Sequence, residues 1–259
     1  KQHHATNELE RQLRRAIEGN ELTLFLQPIV DLATGKIVKC EALARWITPF
    51  GEFIPPDVFI PLAEKSDLIF AFGEWLINEA CEAIEAIKAA SLDIRLAINI
   101  SGRQVADLAL LNQIKNALED HKLSGSSLSI ELTESVFVES LDSVSILLNE
   151  LRDMGITVSI DDFGTGFSSL VYLKKLPIDE LKIDRSFVSE LEDNTEDQAI
   201  VQAILGLAHN LNIKIIAEGI ETEQQQDFLK SHHCTYGQGY LYQRPVAVPE
   251  FVSSAKKLR

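Results

Sequence analysis

Ionisable and amide side chains recur at or near the ends of the apolar segments that the sequence predicts to be strands. In chain order these side chains are Glu41, Asn99, Glu131, Asp161, Asp162, Lys182, Glu218 and Gln238. A single acidic residue after a strand is usually a helix cap or a turn residue. A succession of carboxylates on one rim, however, would be repulsive unless cations lay among them. The pattern therefore indicates a metal site.

The types of side chain indicate which metal. Carboxylate and amide oxygens suit Mg²⁺ or Mn²⁺ and suit Zn²⁺ poorly, and neither the six histidines nor the three cysteines have the spacing of a zinc site. The adjacent residues Asp161 and Asp162 could place one carboxylate between two ions. Two metal ions about 3.5–4 Å apart are the usual arrangement for in-line phosphoryl displacement. Taken alone, the Asp-Asp pair is as well explained as an acidic turn.

These side chains need a scaffold that brings distant strand ends together. Apolar runs at residues 94–100, 128–132, 157–160, 180–183, 214–217 and 236–241 alternate with helical segments near residues 104–121, 139–153, 196–211 and 222–231. Such alternation indicates parallel strands joined by right-handed crossovers. With an opening hairpin at residues 22–26 and 37–43, about eight strands favour an α/β fold, an irregular TIM (β/α)8 barrel. Its carboxyl strand ends would share one rim, where barrels carry their active sites.

Composition limits the classes of function. The chain has 259 residues, 46% of them hydrophobic, and a formal net charge of −15, which fits one globular domain and excludes disorder and binding of a nucleic acid polymer. No apolar run is long enough to cross a membrane, and the scattered cysteines favour a reducing compartment, so we predict a cytoplasmic domain. If upstream segments exist, they could still anchor the full-length protein to a membrane. Residues 1–20 are predicted to form an amphipathic connecting helix from an upstream domain, and residues 21–259 the barrel.

Ordered blocks of residues carry a resemblance to a known family. The blocks are Glu41-Ala42-Leu43 followed by Ala44-Arg45-Trp46, Asn99-Ile100-Ser101, Glu131-Leu132-Thr133-Glu134, Asp161-Asp162-Phe163-Gly164-Thr165-Gly166, Leu181-Lys182-Ile183-Asp184-Arg185, Ala217-Glu218-Gly219-Ile220-Glu221 and Gln238-Gly239-Tyr240. Together they span nearly the whole chain and resemble the EAL-domain family of cyclic di-GMP phosphodiesterases. One tripeptide would be weak support, but the ordered set is highly specific.

The resemblance implies an irregular TIM barrel with an antiparallel first strand. It also implies hydrolysis of one phosphodiester bond of cyclic di-GMP, a bacterial second messenger, to linear pGpG. Two ions, Mg²⁺ or Mn²⁺, would be bound. The implied ligands of the first ion are Glu41, Asn99, Glu131 and Asp161, and those of the second are Asp161 and Asp162, with Glu218 as a further ligand or a base.

The resemblance also implies roles for other positions. Lys182 would orient or activate the nucleophilic water, and Glu134 would anchor the loop of residues 162–170. The implied substrate-binding residues are Gln27, Leu43, Arg45 at a phosphate, Asp184, Glu221, Gln238 and Tyr240. Phe167 stands where the family commonly has tyrosine, and Thr235 where it often has aspartate. Homodimers are common in the family, and an upstream GGDEF or sensory domain is expected in the full-length protein.

Two other functions are compatible with parts of the pattern. The first is a catalytically silent domain that binds cyclic di-GMP, although such members typically lack metal or lysine positions that are filled here. The second is an enolase-type barrel that abstracts a proton with a lysine base and Mg²⁺. The ordered motifs argue against the second alternative, and turnover of cyclic di-GMP would exclude the first.

Overall fold

A computed structural model of the protein describes residues 2–19, 21–107, 109–136, 141–164, 173 and 175–257. The strands are β1 (Leu22–Asp31), β2 (Ile37–Ile47), β3 (Phe53–Ile54), β4 (Arg95–Ile100), β5 (Leu128–Thr133), β6 (Thr157–Phe163), β7 (Glu180–Ile183), β8 (Lys214–Ala217), β9 (Tyr236–Gln238) and β10 (Val246–Ala247). The helices are α1 (Gln2–Glu18), α2 (Pro56–Lys65), α3 (Leu68–Ala89), α4 (Gly102–Val105), α5 (Leu110–Asp120), α6 (Leu141–Asp153), α7 (Arg185–Ser189), α8 (Thr195–Asn210), α9 (Glu223–Ser231) and α10 (Val248–Lys257).

Within these described ranges, eight strands close into a barrel in the order β1-β2-β4-β5-β6-β7-β8-β9, and β9 returns to β1. The pairs from β2–β4 through β8–β9 are parallel, whereas β1 runs antiparallel to both β2 and β9. The short strands β3 and β10 extend the sheet beside β2 and β1. The predicted fold class, an irregular (β/α)8 barrel with an antiparallel first strand, is confirmed.

Some predicted boundaries were wrong. Strand β1 continues to Asp31 because antiparallel pairing with β2 and then β9 extends beyond the apolar run at residues 22–26. The last barrel strand ends at Gln238 rather than at residue 241, since Gly239 begins a turn. The helical segment predicted near residues 104–121 is two helices, α4 and α5, in the structure.

The apolar pattern suggested that Glu41 ends its strand, but in the structure it does not. It lies in the middle of β2, which continues to Ile47 in antiparallel pairing with β1. Parallel pairing between β2 and β4, however, stops at the pair Glu41 and Ala97. Glu41 is therefore the last residue of the closed barrel on this strand, and the rest of the hairpin rises above the rim.

The barrel interior is polar at several levels, whereas the space between strands and helices is filled by aliphatic and aromatic side chains. Lys39, Ser129 and Glu180 lie at one level, where the Lys39 ammonium donates hydrogen bonds to the Ser129 hydroxyl at 3.0 Å and to the Glu180 carboxylate. Side chains two positions further along a strand point to the same face. On β2, β5 and β7 those positions hold the ionisable residues of the rim.

Helix α1 packs on the barrel's helical layer, with the side chains of Leu13 and Ala16 fully buried. A connection from this helix to an upstream domain stays a prediction. None of the helices in the described part of the chain has both the length and the apolar composition needed to cross a bilayer.

Candidate active site

Lys182 lies at the centre of the carboxyl rim and is completely buried. Its Nζ atom is 2.6 Å from Glu131 Oε2, 2.6 Å from Glu218 Oε1, 3.4 Å from Glu41 Oε2 and 3.5 Å from Asp161 Oδ1. These four carboxylates come from β2, β5, β6 and the residue after β8. The register of the parallel strands thus places residues far apart in sequence around one ammonium group.

Amide side chains fix the orientation of the Glu41 carboxylate. Asn99 Nδ2 donates a hydrogen bond to Glu41 Oε1, and Gln238 Nε2 donates one to Glu41 Oε2, each at 2.7 Å. Gln238 also donates to Gln27 Oε1 at 3.1 Å, and Gln27 in turn donates to the Gln243 carbonyl at 3.2 Å. Glu41 is therefore held from both sides.

Burial and crowding strongly perturb the protonation of these groups. Burial raises the pKa of Glu131 to about 8. The positive charge of Lys182 lowers this pKa but does not offset the effect of burial, and the negative charges of Glu41 and Asp161 raise it further. Burial likewise raises the pKa of Glu218 to about 8. Burial alone would raise the pKa of Glu41, but Lys182 and the hydrogen bonds from the amides hold it below its usual range. The surrounding carboxylates outweigh burial and raise the pKa of Lys182, which keeps its charge.

Asp161 and Asp162 both contribute to the site although they are neighbours in a strand. Asp162 has a left-handed backbone conformation with φ of 54°, and the pairing of β6 with β7 is irregular between Ile160 and Phe163. One carboxylate oxygen each of Asp161, Asp162 and Glu218 lies within 4.8 Å of the other two. Partial burial, followed by the charges of Asp161 and Asp184, raises the pKa of Asp162. This irregular strand end brings adjacent acids to one point, where a cation would relieve their repulsion.

The residues present fit the divalent ions that the sequence predicts. Glu131 Oε1 is buried and has no hydrogen-bond partner among the described residues. A buried carboxylate oxygen without a partner is costly unless a cation or water binds it. Five carboxylates with a single lysine among them also form a hard oxygen donor set of the kind that Mg²⁺ and Mn²⁺ prefer.

A cleft of about 240 Å³ opens above these groups. Predicted site residues that line it are Gln27, Glu41, Leu43, Asp161, Glu218, Glu221, Gln238 and Tyr240. Tyr240 is 47% exposed and stacks on Arg244, whose Cζ is 4.0 Å from the ring centroid. The cleft therefore has charged and amide groups at its base and an aromatic side chain at its edge.

Other predicted positions lie around this cleft rather than on its walls. Arg45 lies over the Phe25 ring and lines a neighbouring cavity of about 180 Å³ that shares Leu43 with the cleft. Asp184 caps the N-terminus of α7 by accepting a hydrogen bond from the Ser186 amide at 3.0 Å. Glu134 is half-buried in the turn after β5. The loop that Glu134 was expected to anchor, including Phe167, lies largely outside the described residues.

Arg185 lines the cleft and was not predicted as a site residue. It is the first residue of α7, two positions beyond the end of β7. Its Cβ lies so close to Gly219 that a Cβ on Gly219 would be 2.6 Å away, and Gly219 has a positive φ of 71°. The rule that polar residues at strand ends meet on the rim could have identified this arginine.

The fold and the site together define a (β/α)8 barrel with an acidic centre at its carboxyl rim. A sequence model of the family described as EAL domain matches residues 10–245, so the chain belongs to the EAL domain family. The resemblance stated from the motifs is confirmed.

Relatives with names support the same assignment. The chain is 44% identical over 248 residues to the bifunctional diguanylate cyclase/cyclic di-GMP phosphodiesterase MucR of Pseudomonas aeruginosa, covering 95% of this chain and 36% of MucR. It is 40% identical to the cyclic di-GMP phosphodiesterase NbdA of the same organism, covering 96% of this chain and 32% of NbdA. The chain thus spans about a third of the length of these relatives. The solved structure of the PaMucR phosphodiesterase in complex with c-di-GMP superposes with a TM-score of 0.89 at 44% identity, covering 94% of this chain and 99% of that one.

Proposed function

We propose that this chain hydrolyses one phosphodiester bond of cyclic di-GMP to give linear pGpG, with two divalent metal ions bound at the rim. The observation that carries this proposal is the convergence of Glu41, Glu131, Asp161 and Glu218 on the buried Lys182. The proposed substrate is inferred from relatives that are named cyclic di-GMP phosphodiesterases. Such a site suits a phosphodiester, which needs neutralisation of charge on its oxygens more than any covalent help.

Two groups of residues would hold the ions. Glu41, Asn99, Glu131 and Asp161 would bind the first ion, and Asp161 and Asp162, with Glu218 beside them, would bind the second. When bound, the ions supply Lewis acidity for the phosphoryl oxygens and make water a stronger nucleophile at neutral pH. Both Mg²⁺ and Mn²⁺ accept this donor set.

Lys182 is proposed to hold the nucleophilic water and to position the acids. Among the described residues, the ion-pair partners of its ammonium are Glu41, Glu131, Asp161 and Glu218, and the two shortest contacts are to Glu131 and Glu218. With the acids neutralised by cations, one N–H can be donated to a water that attacks phosphorus. As the new P–O bond forms and a bridging P–O bond breaks, Glu218 is placed to accept the proton that the water loses, and the departing ribose oxygen takes up a proton from solvent.

Substrate orientation is proposed to come from the walls of the cleft. Arg185 can pair with a phosphate oxygen, and Tyr240 presents an exposed ring, braced by Arg244, for stacking with a guanine base. Gln27, Leu43, Glu221 and Gln238 would contact the rest of the nucleotide. Arg45 at a phosphate and Asp184 near Asp162 would contribute from beside the cleft.

Turnover of cyclic di-GMP tests the proposal. The wild-type chain should release pGpG in Mg²⁺ or Mn²⁺, and Lys182→Ala or Glu41→Ala should reduce turnover by at least about 100-fold, as expected for loss of a group that acts in the transition state. Lys115→Ala, on the exposed face of α5, is the matched control and should retain full activity. Saturable binding without product by the wild type would favour the silent binding domain, and exchange of a carbon-bound proton on a carboxylate metabolite would favour the enolase-type alternative.

Further properties of the whole protein are proposals from the family. We propose that an upstream GGDEF or sensory domain controls this barrel, that residues 1–20 connect the two, and that the chain works in the cytoplasm. Homodimerisation and anchoring of the loop after β6 by Glu134 are proposed in the same way. The sequence of the full-length gene tests the upstream domain directly, and a size measurement of the purified chain tests homodimerisation.

A further inference from the structure

A second cavity opens at the opposite end of the barrel from the acidic rim. Its volume is about 380 Å³, larger than the cleft above Lys182. Its walls come from the N-terminal ends of the barrel strands β2, β4, β7, β8 and β9 and from the segments that precede β4 and β5. In TIM barrels the amino-terminal face mainly serves stability, so a cavity with charged walls here needs an explanation.

The walls are rich in cations although the chain is strongly acidic. Lys39, Lys88, Arg95 and Lys214 line the cavity, against two acids, Asp93 and Glu180. Lys39 and Glu180 form a buried pair and neutralise each other. The remaining groups are three cations and one exposed acid, in a chain whose formal net charge is −15.

Two of these cations, Arg95 and Lys214, donate hydrogen bonds to neutral groups rather than to acids. Arg95 Nε donates to the Ser126 carbonyl at 2.9 Å, and Lys214 Nζ donates to the Tyr236 hydroxyl at 3.1 Å. Among the described residues, Arg95, Lys214 and Lys88 form no ion pair with a carboxylate. The hydrogen bond with Tyr236 raises the pKa of Lys214, so this group stays charged at neutral pH. Glu180 also attracts Arg95 and Lys214 electrostatically, but it is already paired with Lys39, so cations outnumber acids in the cavity.

We propose that this cavity at the amino-terminal end of the barrel binds a small organic oxyanion, a phosphate or a polycarboxylate, through Arg95 and Lys214. Charge-assisted hydrogen bonds from a guanidinium and an ammonium are the usual means of holding such groups. The volume exceeds that of an inorganic ion, which leaves room for an organic body beside Tyr236. The site is separate from the acidic rim, and the proposal does not depend on the reaction that occurs there.

Titration followed by NMR of the full chain tests the proposal, with sulfate, citrate and fructose 1,6-bisphosphate as probes at constant ionic strength set by sodium chloride. At least one probe should cause saturable shifts of backbone signals at Ser126, Ser127 and Lys214. Citrate would identify a carboxylate ligand and fructose 1,6-bisphosphate a phosphate ligand, while a response to all three would identify a general oxyanion site. Each of these three results supports the proposal.

Variants make the test specific. Arg95→Gln combined with Lys214→Gln should weaken binding by at least about tenfold, the expected effect of losing charged hydrogen bonds. The control pair Lys65→Gln with Lys115→Gln removes the same charge from exposed helix positions and should leave affinity unchanged. Shifts that do not saturate, shifts confined to the region of Glu218, or equal affinity in both double variants would each overturn the proposal. The unliganded spectra of the variants show whether they are folded.

Discussion

The buried ion pair between Lys39 and Glu180 offers a quantitative test of how the barrel interior is built. Both residues are almost inaccessible, at 3% and 2% exposure, and each has one further polar contact. Lys39 donates to Ser129 at 3.0 Å, and Glu180 accepts from the Ser159 hydroxyl at 2.6 Å. Such a pair contributes little compared with apolar residues of the same volume, but removal of one partner leaves an uncompensated charge.

Lys39→Met should therefore lower the free energy of unfolding by about 3–5 kcal/mol. For a domain of this size each kcal/mol corresponds to about 2–4 °C, so the melting temperature should fall by roughly 6–20 °C. The double variant Lys39→Met with Glu180→Leu removes both charges and should recover most of that loss. Arg11→Met, which removes an exposed pair with Glu8 on α1, should change stability by no more than about 1 kcal/mol.

Urea denaturation monitored by circular dichroism measures all four proteins. The reasoning is refuted if Lys39→Met is as stable as the wild type within about 1 kcal/mol, or if the double variant is no more stable than the single one. Either result would mean that Glu180 reaches solvent or becomes protonated without penalty.

Three further predictions concern pH, metal and substrate. The Lys39 charge and hydrogen bonds hold the pKa of Glu180 below its ordinary value of 4.5. The stability that the pair contributes is therefore complete above pH 4.5 and is lost as the pH falls through the lower pKa of the folded state. The difference in unfolding free energy between wild type and Lys39→Met should narrow in denaturation curves recorded below pH 4.5. Removal of divalent ions with EDTA should abolish turnover. Re-addition at 100 times the dissociation constant should raise stability in thermal unfolding by about 2.7 kcal/mol for each ion bound, or about 5.4 kcal/mol for two, whereas no change in either turnover or stability would exclude a bound metal. Arg185→Gln should reduce kcat/KM for cyclic di-GMP by about 10- to 100-fold through loss of a charged hydrogen bond to phosphate, and an unchanged value would remove Arg185 from the substrate site.

Much of the fold could be predicted because parallel barrel strands leave a clear pattern. Strands such as β4 and β5 are short segments rich in Leu and Ile, with polar residues such as Asn99 and Glu131 at interior-facing positions, and each is separated from the next by a helical segment. The antiparallel β1–β2 hairpin was harder, because its pairing extends well beyond the apolar residues. Glu41 consequently looked like a strand end, although it marks the point where β2 leaves β4.

The site could be predicted as a set of residues but not as a geometry. Strand-end polarity identified Glu131, Lys182 and Glu218, yet only the register of the strands shows that the one ammonium lies within 3.5 Å of four carboxylates. The Lys39–Glu180 pair left no signal, because a lysine near the start of a strand is ordinarily exposed. Arg185 was missed because it is the first residue of α7, although it lies close enough to the end of β7 for the same rule about strand ends to apply.

The most direct test of the account is anomalous diffraction from crystals of the chain grown with Mn²⁺. The account predicts two manganese peaks, both within bonding distance of the Asp161 carboxylate, with Glu131 on one and Asp162 on the other. A single peak, or peaks that do not touch Asp161 in a fully metallated crystal, would contradict it.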